Sequence, residues 1–254
     1  MSVYYKYAPD WTIIVVLSYV DDFVYSYTSE SIGKWFLDTL GKRFHVKFLI
    51  YAHWFMSIRI SQMKDNSISV YQARYATSIV VKYLDTTIVK ASKKFYKTTF
   101  PSDMIFTKAD TSTSDEQVEK LTREFNIHYR SCIDSLIYLL STIVEFSFSV
   151  HKLAKISANP GKVHFGGFIP LLSYIRDSKT LGLNYYANIN DALVSDLLRQ
   201  ASIKTENQLM DFYDSSCQYC PYTGRIIGAY IIFYQGGPIY HGTHVPRPVD
   251  QSSS

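Results

Sequence analysis

Residues 12–17, TIIVVL, are apolar and mostly β-branched at consecutive positions, which predicts a strand covered on both faces. A second strand-like run at 23–27 follows directly after Asp21 and Asp22, so the acidic pair reads as the tip of a tight hairpin. From Ile32 the period changes. Phe36, Leu37, Leu40 and Phe44 recur at helical spacing, with Ser29 or Ser31 placed to cap and Gly41 near the end. Residues 54–60 and 68–71 read as short strands joined by the polar turn Lys64-Asp65-Asn66-Ser67. Tyr75, Ile79, Val80, Tyr83 and Leu84 then share one helical face. The order strand, strand, helix, strand, strand, helix predicts an α+β domain around an antiparallel sheet.

Residues 90–117 turn polar and carry few long apolar side chains, so a connection between domains is expected there. Within it, Ser114 with Gln117 three residues on, and Asp115 and Glu116 between them, mark a helix start that runs to about Phe125. Residues 133–150 are apolar and mostly helical in spacing, which predicts one long helix. Residues 163–175 predict a weaker one, because Gly166, Gly167 and Pro170 interrupt it at about 1 kcal/mol per glycine and about 3 for the proline. That segment is expected to be fragile. Residues 208–213 and 229–234 are strand-like, Gly236-Gly237-Pro238 is a turn before Ile239 and Tyr240, and the proline and serine tail 246–254 ends the pattern.

Composition narrows the class. A chain of 254 residues buries a core without staples, and 47% hydrophobic against 19% charged residues excludes wholesale disorder. A net charge of +4 allows a nucleic-acid partner without demanding one. Cys132, Cys217 and Cys220 make an odd set with no secreted-type framework, which points to a reducing, intracellular compartment. The aliphatic run Ile13 to Leu17 falls far short of the roughly 20 residues a membrane span needs, and residues 1–11 show no signal-peptide pattern, so no membrane partner is expected.

Tyr19-Val20-Asp21-Asp22 is the strongest candidate site. Two adjacent carboxylates at a hairpin tip project hard oxygen ligands where a phosphate-bound Mg²⁺ can sit, and two-metal phosphoryl transfer needs acidic ligands on rigid strands. A solvated Asp-Asp turn with no further role is the other reading of the same residues.

The tetrapeptide after an apolar strand resembles the polymerase signature of reverse transcriptases, and the chain downstream resembles a copia-type retrotransposon Pol polyprotein. Phe44-His45-Val46-Lys47 is similar to the segment before that family's thumb. Trp54-Phe55-Met56-Ser57-Ile58 resembles its Phe-Leu-Gly-Ile hairpin, and the stretch from Ile68 through Gln72 to Tyr75 its Ile-x-Leu-x-Gln-x-x-Tyr step. Tyr129-Arg130 with Ser135-Leu136-Ile137-Tyr138-Leu139 is similar to its Tyr-Arg…Gly-Ser-Leu-x-Tyr-Leu. Asn159-Pro160 with His164, Tyr174-Ile175-Arg176 and 181–185 resemble the connection, and Phe212-Tyr213-Asp214 with 228–230 and 236–239 the opening of an RNase H domain. The serial order of these pieces carries the resemblance.

It implies an α+β chain with an antiparallel palm-type sheet, a helical thumb and connection region, and the first strands of an RNase H-like domain. The implied segments are distal palm and thumb start at 1–89, polar connection at 90–128, helical region at 129–204 and truncated RNase H-like start at 205–254. Asp21 and Asp22 would be two of three palm carboxylates holding Mg²⁺, Tyr19 and Val20 would lie under the primer end, and RNA template and DNA primer would be the partners. The third carboxylate belongs to an upstream strand. Only Asp10 precedes the hairpin, and about nine residues at roughly 3.3 Å put it close to 30 Å away, so a missing upstream polymerase segment is implied and the isolated chain is expected to be inactive. Asp214 would be the first RNase H ligand, although a plain strand-end acid reads equally well and the family's next acid falls on Ser216. Family glycines fall on Ile50, Ser57 and Asp134, and an Arg-Pro-Asp step becomes Ile143-Val144-Glu145, which implies local strain in a partly degenerate copy.

Two further groups carry alternatives. Lys90, Lys93, Lys94 and Lys97 surround Phe95 and Tyr96, either a noncatalytic nucleic-acid contact or a solvated loop. Cys217 and Cys220 with His241 and His244 are either a zinc set for an interaction module or unrelated thiols and imidazoles.

Overall fold

The computed structural model describes residues 1–49, 51–84, 96–101, 104–188, 209–215 and 226–244. The chain packs as two compact units, Met1–Met63 and Lys64–Ser254. It is an α+β protein whose sheets are antiparallel.

The first unit is a three-stranded sheet of β1 (Ser2–Tyr7), β2 (Ile13–Tyr19) and β3 (Asp22–Tyr27), in the order β1-β2-β3. Helix α1 (Glu30–Gly41) starts where expected: the Ser29 hydroxyl accepts from the Ser31 N–H. Its Ile32 packs on Ile14 and Val16 of β2, with Tyr25 and Phe36 against them. Alternation along the strands sends Val3, Tyr5, Tyr7, Val15 and Leu17 to the opposite side of the sheet from Ile14 and Val16. Val3, Tyr5 and Tyr7 are exposed there, whereas the apolar run predicted cover on both faces. The expectation holds only in part, with Val15 and Leu17 half-buried on that side, because consecutive apolar residues report the composition of both faces and not what packs on them. Strand β1 is itself unforeseen. All six of its residues are exposed, so it has no inward and outward alternation to betray it.

Residues 54–60 divide into β4 (Trp54–Phe55) and β5 (Ile58–Gln62), joined by Met56 and Ser57. Both turn residues have left-handed φ, 51° and 59°, as a two-residue hairpin of this hand requires. Ser57 is one of the positions where the resemblance places glycine, and the strain expected there is present. Asp134 is not strained, since it sits exposed inside a helix with ordinary backbone; Ile50 lies outside the described residues.

The second unit opens with β6 (Ile68–Tyr71) and α2 (Ala73–Tyr83), continues through α3 (Asp115–Phe125), α4 (Tyr129–Leu139), α5 (Ser147–Ala154), α6 (Lys162–Gly166) and α7 (Phe168–Ser178), and returns to β7 (Gly182–Tyr185). Strands β6 and β7 pair antiparallel, Ile68 opposite Tyr185. A last sheet, in the order β10-β9-β8, comprises β8 (Met210–Ser215), β9 (Gly228–Tyr234) and β10 (Gly237–His244). Ser114 caps α3 through the Gln117 N–H as read from the sequence, and Asn126 closes it at φ 52°.

The single helix expected over 133–150 is two helices with a 3₁₀ turn, Val144–Phe146, before the second. The break has both a local and a tertiary contact. At the break the Ser141 hydroxyl donates to the Tyr138 carbonyl and so competes with the helical backbone, while the buried Thr142 hydroxyl is drawn to Gln72 Oε1 at 2.9 Å. The segment expected to be fragile is instead central to the core: Phe165, Phe168, Leu171 and Ile175 are fully buried. Pro170 falls in the first turn of α7, where the missing N–H has no helical partner to lose. Gly167 permits close packing, since a Cβ there would stand 2.9 Å from Leu153 Cδ2.

Candidate functional site: an acidic hairpin tip

The β2–β3 register pairs Tyr19 with Asp22, leaving Val20 and Asp21 alone to reverse the chain. Two-residue turns that suit the right-handed twist of their strands need positive φ at the first position. Val20 supplies it at φ 51°, a conformation that crowds a β-branched side chain and stores about 1–3 kcal/mol. Val20 is 78% exposed, so no packing compensates the strain locally. Replacing Val20 with glycine should therefore raise the stability of the first unit by about 1 kcal/mol. Urea unfolding followed by tryptophan fluorescence reads this directly, because Trp11, Trp35 and Trp54 all belong to that unit. A loss of stability would contradict it.

The strained turn holds Asp21 and Asp22 side by side, both exposed, at the end of β2 remote from Asp10. Asp10 lies in the β1–β2 turn and is spent locally. Its Oδ1 accepts from the Thr12 N–H at 3.1 Å and the Thr12 hydroxyl at 2.7 Å, which holds its carboxyl below the usual range. The hairpin therefore offers two hard oxygen donors, and no group of three or more His, Cys, Asp or Glu residues converges among the described residues. The pair suits part of a divalent-cation cage and does not complete one.

In the second unit Asp214 sits exposed on β8 opposite Ala229, and its Oδ1 accepts from the Ser215 N–H at 2.8 Å. Lys97 is exposed; Lys90, Lys93 and Lys94 lie outside the described residues. So do Cys217 and Cys220, but the histidines expected to join them diverge. His241 and His244 are three apart on β10 and face opposite sides of the sheet. His241 Nε2 is 3.1 Å from the Leu140 carbonyl and Nδ1 is 3.3 Å from Ser147 Oγ, while the His244 ring lies against Tyr213 and Tyr230. In this arrangement they do not chelate one ion, which corrects the zinc reading as far as the histidine pair is concerned.

Several quoted motif residues of the second unit are tied down, and two of them, Tyr75 and Tyr138, meet one another. Gln72 receives the Thr142 hydroxyl, Tyr75 packs edge-on to Tyr138 with ring centroids 5.0 Å apart, and Tyr129 donates to the Leu153 carbonyl at 3.0 Å. Ser112 ties down the Asn159-Pro160 step, its N–H donating to the Asn159 carbonyl and its hydroxyl to that of Pro160. His164 Nδ1 accepts from the Gly161 N–H at 2.8 Å, an arrangement that needs the neutral ring, and burial lowers its pKa in keeping.

Fold and site together define an α+β protein with a carboxylate pair on a strained hairpin tip. The sequence is 24% identical over 172 residues to the "Retrovirus-related Pol polyprotein from transposon RE1" of Arabidopsis thaliana, a match covering 68% of this chain and 11% of that protein. This likeness supports a relation to retrotransposon Pol polyproteins, of which the chain corresponds to a small part. No protein-family model and no solved structure matches.

Proposed function

We propose that the chain is the downstream part of a copia-type reverse transcriptase, with distal palm, thumb and connection followed by the opening of an RNase H-like domain. The observation that carries this reading is the hairpin tip: Tyr19 and Asp22 paired, Val20 strained, and both carboxylates exposed. Strained backbone clusters at functional sites, where the geometry serves chemistry. The contact of Tyr75 with Tyr138 adds support, because two separate motif segments pack on each other there.

In this reading Asp21 and Asp22 contribute two ligands to Mg²⁺, which supplies charge neutralisation at the phosphates during primer extension on an RNA template. Tyr19 and Val20 flank the primer end. Asp10 is too distant and too occupied by Thr12 to serve as third ligand, so the set requires a carboxylate from an upstream polymerase segment. Asp214 takes the place of the first RNase H ligand, without its partners among the described residues. The reaction is intracellular.

Primer extension with an RNA template, a DNA primer and Mg²⁺ tests the assignment. The isolated chain should give no product, and the chain joined to an upstream segment that supplies the third carboxylate should extend the primer. Extension by the isolated chain that survives Asp21→Asn would overturn the assignment.

A further inference from the structure

One side of the β1–β3 sheet meets α1 through Ile14 and Val16, and the other carries Val3, Tyr5 and Tyr7 of β1 beside Val15, Leu17 and Val24 of the two following strands. The two rows differ in height. Val3, Tyr5 and Tyr7 stand out from the sheet, Tyr5 at 71% exposure, and Trp11 in the β1–β2 turn is 84% exposed. Tyr5, Tyr7 and Trp11 follow one another edge-on, with ring centroids 6.0 and 6.3 Å apart, which builds a continuous aromatic ridge. Val15, Leu17 and Val24 are shorter and half-buried, so they floor a trough alongside it.

Charge decides what fits. Asp22, at the far end beside the hairpin tip, is the one charged residue on this side of the three strands. Lys6 stands on the α1 side, its Nζ 4.8 Å from the Trp35 ring centroid. A nucleic acid would therefore find rings to stack on and no cation for its phosphates. A ridge beside a trough is, by contrast, complementary to itself: a two-fold axis running along the strands sets the ridge of each copy in the trough of the other. The exposed parts of Val3, Tyr5, Tyr7 and Trp11 amount to roughly 500–600 Å², and the trough brings the face to about 700–800 Å² per copy, close to the ~800 Å² per partner of a standard interface.

We propose that this face is a dimer interface, at which two copies of the chain stack their first sheets face to face with the Tyr5-Tyr7-Trp11 ridge of each over Val15, Leu17 and Val24 of the other. Removing this apolar surface from water drives the association. The proposal is independent of the polymerase reading, because no residue of the hairpin tip takes part in the contact.

Sedimentation equilibrium and ¹H–¹⁵N spectra of the intact chain test it. The chain should be dimeric at about 100 μM and dissociate on dilution, since interfaces of this size range from μM to pM in affinity. The amide signals of residues 3–7, 15–17 and 24 should move as it does. Tyr5→Asp sets an unpaired charge in the middle of each ridge and should weaken the dimer at least about a hundredfold, whereas Tyr5→Phe should keep it. A chain that stays monomeric at that concentration, dilution shifts that fall elsewhere, or a dimer that Tyr5→Asp leaves intact would each overturn the proposal, and the first two need no variant. Shifts of the same amides when single-stranded oligothymidylate is added to a monomeric chain would overturn it in favour of nucleic-acid binding.

Discussion

Asp21→Asn is expected to abolish primer extension by the chain joined to its upstream polymerase segment, a loss of at least about a thousandfold, or about 4 kcal/mol of transition-state stabilisation. The size follows from the position. Asp21 is at the turn of a two-residue hairpin with its carboxylate exposed, so the substitution removes charge without disturbing a core. Asparagine keeps the shape and one oxygen donor, and what it loses is the anionic oxygen a divalent cation needs. Asp22→Asn should do the same. Rates of single-nucleotide incorporation measure the effect, with circular dichroism confirming that the variants fold alike. A loss below tenfold for both variants would remove the pair from any catalytic role.

Phe165→Ala is expected to cost about 3–5 kcal/mol of stability, enough to unfold the second unit at moderate temperature. Phe165 is completely buried and in ring contact with Phe125 and Tyr129, centroids 5.4 and 5.1 Å away. Removing it leaves a cavity bounded by rings that cannot collapse far, because Tyr129 is held by its bond to the Leu153 carbonyl. Urea denaturation followed by far-ultraviolet circular dichroism gives the value. A cost below 1 kcal/mol would show that residues 163–175 are as weak as their glycines and proline suggested.

That segment shows why the sequence was only partly legible. Penalties for Gly167 and Pro170 assume a helix interior, yet Gly167 caps the junction of α6 and α7 and Pro170 lies in a first turn, so neither is charged in full. The break between α4 and α5 was hidden for a related reason. The buried Thr142 hydroxyl there is bonded to Gln72, 70 residues away, and no local pattern reports a distant acceptor. The pairing of β6 with β7 is equally non-local. The acidic tip, by contrast, was readable, since two strand-like runs flanking Asp21 and Asp22 leave the chain one short way to turn. Its strain at Val20 could have been foreseen too: a two-residue hairpin needs positive φ, and neither Val20 nor Asp21 is glycine.

Binding of Mn²⁺, a paramagnetic substitute for Mg²⁺, tests the hairpin site most directly. In ¹H–¹⁵N spectra of the intact chain, substoichiometric Mn²⁺ should broaden the amides of Tyr19 to Asp22 selectively, excess Mg²⁺ should restore them, and Asp21→Asn combined with Asp22→Asn should remove the effect. Broadening that spares those four residues, or that persists in the double variant, would contradict the assignment of a cation site to this turn.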